Sequence, residues 1–571
     1  MDTCSPRGTA TLRSVASPTR RQVVQFSSVS VGALVASRLL REQLPSPPVY
    51  VEGTTLESTI VPARSPGYRL LSTGPAQPVA LRTELARAGD RRAVLRAGLA
   101  AVVQLTDLHV TDVQNPLRFE YLDRRCATGH RPQELLGTHG ATALVRRVNS
   151  LRGGPFTGRP IDAVMTTGDN TDNQGGLELE WLLALLAGGR VHPSSGDPDV
   201  FEGVAGCGLE EYWQPESPLA DRYKGHGFPV VPGLLAAATA PFTSPGLDVP
   251  WLLTMGNHDA AALGTIELQP EISAWYAGDR KVLSASCEEA LLLATRLSAR
   301  SPANHPDLGE VGRQLEAIAR RGHTRAVAAD PRRAPFTGPE YVEALRDPRF
   351  TGAGPVGHGY GEDDDGSHLY YTHWLSRTVL AVSLDTTNQA GGADGSLGSE
   401  QLQWLEQQLS AHQDAYVVVF SHHPSDRMTN LAPDPRDPHE PRHPGDEVLA
   451  LLHAHPQVIA WVNGHCHRNR ITPRRHLDPR RSFWEINTAS HVDAPQQARV
   501  IEVAANSDGT LSLFTTMIDA DAPASAPYDD LTPAGLASLY RELAFNDLTP
   551  VDRRGSHEDG NAELLLVDPL A

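Results

Sequence analysis

Five short polar segments carry the reactive side chains of this 571-residue chain. In order they are Asp107-Leu108-His109, Gly168-Asp169-Asn170-Thr171-Asp172, Gly256-Asn257-His258-Asp259, Ser421-His422-His423-Pro424 and Gly464-His465-Cys466-His467. Together they offer carboxylates, imidazoles and one amide oxygen. Such a donor set suits manganese, iron, zinc or cobalt and needs no thiolate. The donors outnumber what one ion can use, and two ions sharing a bridging carboxylate resolve the excess. A pair of ions about 3.5–4 Å apart grips a phosphoryl group, acidifies a water and neutralises charge during in-line attack. Each segment alone is also ordinary turn chemistry, because Gly, Asn and Asp favour turns. Five of them in one chain, each closing an apolar run, exceed what turns explain. The alternation His465-x-His467 projects both imidazoles to one side of an extended segment, with Cys466 opposite.

The apolar runs are the elements that must position these groups. Leu99–Leu105, Ile161–Thr166, Val249–Met255, Thr378–Leu384, Ala415–Phe420 and Val458–Val462 read as strands, and continuous Val/Ile/Leu/Ala runs imply cover on both faces. Helical patterns lie between them at Ala141–Leu151, Leu177–Ala187, Ser399–Leu409 and Glu447–Ala454. Alternating strands and helices predict an α/β fold with its chemistry at the strand C-terminal ends. Ala498–Val503 and Leu511–Met517 flank Asn506-Ser507-Asp508-Gly509-Thr510 and predict a hairpin. Three stretches break the rhythm: 188–248, 262–370 and 425–445, read as insertions into one catalytic domain spanning 95–519. Residues 520–571 read as a C-terminal extension with one helix, at about Pro533–Phe545.

The formal net charge is −18, with acids spread along the chain. That argues against gripping nucleic acid by its phosphates, which needs a basic face. Five cysteines are too few for a disulfide scaffold. Residues 1–42 combine a basic stretch ending in Arg20-Arg21 with the small, mildly apolar run Gln22–Ser37. This pattern resembles a twin-arginine export signal. Export by the twin-arginine machinery would place the protein outside the cytoplasm, where Cys126 and Cys207 have the option of pairing. No other stretch reaches the roughly 18 apolar residues of a membrane span.

The ordered motifs resemble the calcineurin-like metallophosphoesterase superfamily, and the long insertions with an export signal resemble its exported actinobacterial members. The resemblance implies a four-layer αββα sandwich of two mixed sheets flanked by helices, with a binuclear centre of two divalent or mixed-valence ions (Mn, Fe, Zn or Co). By motif, Asp107, His109 and His467 would hold the first metal, Asp169 would bridge, and Asn257, His422 and His465 would hold the second. His258 would stand over the phosphate as general acid or transition-state stabiliser, oriented by Asp172, while a metal-bridging hydroxide attacks. A carboxylate partner fixes the tautomer and favours the imidazolium. Asp259 would fix its loop. The implied activity is hydrolysis of a small phosphate mono- or diester. The alternatives are a nuclease of the same superfamily and a non-catalytic metal- or phosphate-binding module.

Some residues have two readings. Arg427, Arg468 and Arg470 follow metal motifs and are candidates for phosphate oxygens, Arg470 foremost. His423 is a packing or substrate-side residue. Tyr212, Trp213 and Trp275 either line a pocket or form small cores of their own. His130, His358 and His491 belong to no motif and read as surface or structural.

Overall fold

The computed structural model describes residues 45–571 apart from positions 65, 90, 123–128, 268–269, 298–307 and 550. The expected export segment 1–42 and Cys126 lie outside the described residues. Cys207 carries a free thiol. Among the described residues no helix is long and apolar enough to cross a membrane.

All six apolar runs form strands, and they divide between two mixed sheets. The larger sheet runs in the order Ala80–Arg82, Ala562–Val567, Thr510–Asp519, Gln497–Ala505, Ala97–Leu105, Ala163–Thr167, Trp251–Thr254. The last three strands are parallel, and their register sets Leu105 beside Thr166 and Thr167 beside Thr254. Three of the polar segments therefore leave the same sheet edge. The second sheet runs Tyr371–Trp374, Val379–Ser383, Tyr416–Phe420, Val458–Asn463, Phe483–Asn487, Arg470–Arg474. Phe420 stands beside Val462 in its parallel centre, which aligns the His422 and His465 segments.

One core holds residues of both sheets, among them Val103, Val164 and Leu253 with Phe420, Val462 and Ile486. Helices Gly137–Ser150 and Gly176–Ala187 add Leu144, Leu182 and Leu185 to it. A second core packs Leu405 and Leu409 of helix Ser399–Ala411, and Val448 and Leu452 of helix Gly445–Ala454, on Val417, Val419 and Trp461. Parallel strands covered by helices need apolar residues throughout, which is how these strands read. Polar bonds tie the sheets near the site: Gln104 Nε2 donates to Asn463 O at 2.9 Å, and the Thr254 and Ser383 hydroxyls lie 2.8 Å apart.

The flanking segments are less separate than their composition implies. Residues 520–571 supply helix Pro533–Phe545 and also strand Ala562–Val567, which pairs with Thr510–Asp519 and Ala80–Arg82. The stretch expected as an extension is thus part of the larger sheet. Its strand escapes a local reading because both partners are distant in sequence. Within 262–370, the part from Phe336 onward joins the main core through Tyr341, Leu345 and Tyr360. His358 is stacked on Trp251 and bonds the Trp251 and Phe350 carbonyls, a structural role. Trp213 packs with Tyr223, Phe228 and Leu539, while Tyr212 donates its hydroxyl to Leu283 O. Both are buried core residues, Trp213 also lining a small cavity with Arg131 and Glu134, and Trp275 packs against a third core that includes Tyr276 and Leu293 while lining a surface cavity with Arg280 and Arg320.

Leu564 is fully buried in the strand Ala562–Val567. Leu564→Ala should cost about 2–5 kcal/mol, as truncation in a packed core does, measured by urea unfolding. An independent extension would lose almost nothing.

Candidate metal centre

The five segments meet where the two sheets' strand ends face each other. Asp107 N donates to Gly168 O at 3.1 Å and His109 N to Asp169 O at 3.0 Å, joining the first two segments. Gly464 N donates to His422 O at 3.0 Å, joining the last two. Asp259 fastens the middle. Its carboxylate accepts from the backbone of Asn170, Thr171 and Gly256 and from the Asn170 and Thr171 side chains. Burial, and then the neighbouring Asp169 charge, still push its pKa up to about 6.

The backbone here is strained. Asp107, His109, Asp169, His465 and His467 all have positive φ, between 45° and 68°. Left-handed conformations cost non-glycine residues about 1–3 kcal/mol each and collect at functional sites. They also overturn the extended reading of His465-x-His467: each histidine is turned inward by its own left-handed residue. Two glycines make room. A Cβ on Gly256 would collide with Asp169, and one on Gly464 with Thr106 and Asp107.

The side chains form two half-sites around Asp169. In the first, His109 Nδ1 lies 2.9 Å from Asp172 Oδ1, and His467 Nδ1 lies 2.6 Å from Asp493 Oδ2. Each Nδ1–H is thereby donated outward. The two Nε2 atoms face each other at 3.3 Å, with Asp107 Oδ1 3.2 Å from one and Asp169 Oδ2 3.6 Å from the other. In the second, His422 Nδ1 donates to Thr167 O, so its Nε2 turns to Asn257 Oδ1 at 2.9 Å, His465 Nδ1 at 3.2 Å and Asp169 Oδ2 at 3.2 Å. Asn257 Nδ2 donates to Gly264 O at 3.0 Å, which aims its oxygen inward. Acceptors thus converge on acceptors, an arrangement that needs positive charge at each centre. Asp107, His109, Asp169 and His467 are a group that could hold a metal ion, and His422, His423 and His465 are a second.

Without cations, protons take that part. Burial opposes the charged form of His422 and His467, but the Asp169 and Asp107 carboxylates outweigh it and raise both pKa values to about 9. Burial lowers the pKa values of His109 and His465. Asp169 is also opposed by burial, yet the His422 charge holds it well below the carboxylate range. Each half-site therefore contains one imidazolium and one neutral imidazole.

His258 stands at the rim, half-buried, its ring 4.5 Å from that of His109. Its N–H donates to Asp169 Oδ1 at 2.9 Å. The expected Asp172 pairing takes a different form. His258 Nδ1 bonds the Asp172 backbone carbonyl at 2.7 Å, while the carboxylate stands 3.6 Å away, engaged by His109, Arg118 and Asn173. The two substrate-side candidates also differ from expectation. His423 is fully buried with Nδ1 on Thr386 and Nε2 on Ala393 O, its ring 4.5 Å from that of His465. Arg470 commits its fork to Asp426 at 2.8 and 3.0 Å. Asp493, Arg118, Arg131 and Glu134 support the site and went unseen in the sequence. None of the four lies in a motif read from the sequence.

No protein-family model matches the chain. The chain is 35% identical over 95 residues to a curated protein of Arcobacter nitrofigilis named "Probable glycerophosphodiester phosphodiesterase GpdQ". The match covers 16% of this chain and 33% of that protein, so the chain spans about a third of its relative's length. Among solved structures, a dimetal phosphatase from Danio rerio aligns at TM-score 0.34 and 12% identity, covering 74% of this chain and 100% of that one. GAP50, described as the anchor in the inner membrane complex of Plasmodium, aligns at TM-score 0.25 and 9% identity, covering 81% and 98%.

Ligands must be deprotonated, so cation uptake displaces protons. In the cation-free protein the stability contributed by the His422 and His467 imidazolium ions is fully present below about 6.5 and lost as pH rises through about 9. Apparent affinity for Mn2+ should therefore rise with pH toward 9 and then level. Calorimetry in buffers of different ionisation enthalpy at pH 7 should show release of up to two protons. Uptake without proton release would contradict the assignment.

Proposed function

We propose that this protein is a binuclear-metal hydrolase of phosphate esters, of the calcineurin-like metallophosphoesterase type, on a four-layer frame of two mixed sheets between helices. The observation that carries the reading is the convergence of two acceptor clusters on the one oxygen, Asp169 Oδ2. Asp107, His109 and His467 would hold one ion, Asn257, His422 and His465 the other, with Asp169 between them. Manganese, iron, zinc and cobalt all fit nitrogen and oxygen donors of this kind. Such ions supply charge for phosphoryl oxygens and lower the pKa of a water between them.

The chain's own residues supply the rest. With Nδ1–H donated to the Asp172 carbonyl, Nε2 of His258 is the atom that gives or takes a proton. The Asp172 carboxylate stands 3.6 Å from Nδ1, and a proton on Nε2 would pass to a leaving alkoxide oxygen. The bond from the His258 backbone N–H to Asp169 ties this residue to the carboxylate that would serve both ions. The likeness to the Arcobacter protein, which is named for cleaving glycerophosphodiesters, supports a diester substrate. The acidic chain supports a small phosphate ester over nucleic acid. We read residues 1–42 as a twin-arginine signal that hands the folded protein to the export machinery, so that it acts outside the cytoplasm.

Full-length protein loaded with Mn2+ should hydrolyse bis-p-nitrophenyl phosphate or p-nitrophenyl phosphate and leave single-stranded DNA intact. His258→Ala should keep its metal and lose about 10²–10⁴-fold in turnover, the contribution of a positioned proton donor. No turnover of any of these by metal-loaded protein would sink the enzyme reading. Loss of metal in His258→Ala would show that its role is misassigned.

A further inference from the structure

Behind the first half-site lies a run of buried charges that the ligand motifs do not include. Arg118, its side chain 1% exposed, donates Nη1 to Asp172 Oδ2 and Nη2 to Glu134 Oε2, both at 2.6 Å. Arg131 donates Nε to Asp493 Oδ1 at 2.8 Å and Nη1 to Glu134 Oε1 at 3.0 Å. Asp172 and Asp493 are the carboxylates that receive the outer N–H of His109 and His467. One carboxylate, Glu134, is thus linked through two arginines to the partners of both histidines of the first half-site. The second half-site leans on backbone carbonyls instead, Thr167 O behind His422 and Gly264 O behind Asn257.

Packing alone does not call for this arrangement. Each buried ion forfeits several kcal/mol of hydration, and apolar side chains of similar volume fill such space as well or better. The charges add fixed geometry. A guanidinium fork locks the plane and position of the carboxylate it grips. A carboxylate locked behind a histidine fixes its tautomer and aims the opposite nitrogen. The run also reaches into the 262–370 stretch, where fully buried Lys281 donates to Glu120 Oε1 at 2.9 Å, 3.4 Å from Arg118 Nε.

We propose that Glu134 is a positioning residue for the first half-site. By clamping Arg118 and Arg131 it keeps Asp172 and Asp493 in place, and so keeps the Nε2 atoms of His109 and His467 directed at one point. The inference rests on the metal-centre reading above.

The test is Mn2+ titration of the full chain followed by calorimetry. Asn257→Ala, which removes a second-half-site donor, identifies the binding step that belongs to that half. Glu134→Gln keeps the shape and removes the charge. It should weaken the other step about 10-fold, the lower end of what outer partners of a metal ligand contribute, and leave the Asn257-dependent step unchanged. Arg131→Lys keeps the charge but loses the fork and should act on the same step, so the test survives if Glu134→Gln fails to fold. A merely structural role would lower the melting temperature without choosing between the steps. Equal weakening of both steps, or of neither, would overturn the proposal. Parent protein that takes up no Mn2+ would overturn the metal-centre reading itself, whereas normal uptake by the parent and by both variants would overturn this inference alone.

Discussion

Asp169 Oδ2 faces two imidazole nitrogens from opposite sheets, His109 Nε2 at 3.6 Å and His422 Nε2 at 3.2 Å. Buried acceptors with no donor between them are costly. Here the cost is removed by positive charge, protons on His467 and His422 in the cation-free protein and metal ions in the proposed loaded form. The rest of the site follows from keeping this oxygen in place. His258 N binds the other oxygen of the same carboxylate, and Asp259 ties the Asp169 loop to the Gly256 turn. The left-handed backbone at five of these residues is the conformational cost of turning their side chains into one small volume.

The two sheets make that concentration possible because they deliver ligands from opposite directions. Parallel strands in register end together, so side chains just past their ends share an edge. The larger sheet brings Asp107, Asp169 and Asn257, and the smaller brings His422 and His465. The two half-sites differ in what stands behind them. Carboxylates held by buried arginines back the first, and main-chain carbonyls back the second. The first is therefore held by charge and the second by the fold's own hydrogen bonds.

The strands and the residues that converge at the site were legible because each apolar run closes abruptly on side chains that turns alone do not need. Helix Pro533–Phe545 was legible in the sequence. Strand Ala562–Val567 was not, because a short apolar run acquires meaning only from partners about 50 and 480 positions away. The buried ions were also hidden. Arg118, Arg131 and Glu134 lie in a polar stretch with no period, and nothing in their spacing separates a buried ion pair from a solvated one. The His465-x-His467 alternation misled for a definite reason: a period of two implies an extended chain only when φ is negative, and both histidines have it positive.

In the proposed loaded form one carboxylate, Asp169, serves two cations. Anomalous diffraction from crystals of the Mn2+-loaded protein tests it directly. Two peaks about 3.5–4 Å apart are expected, one on each side of Asp169. A single peak, or two peaks that do not share Asp169, would contradict it.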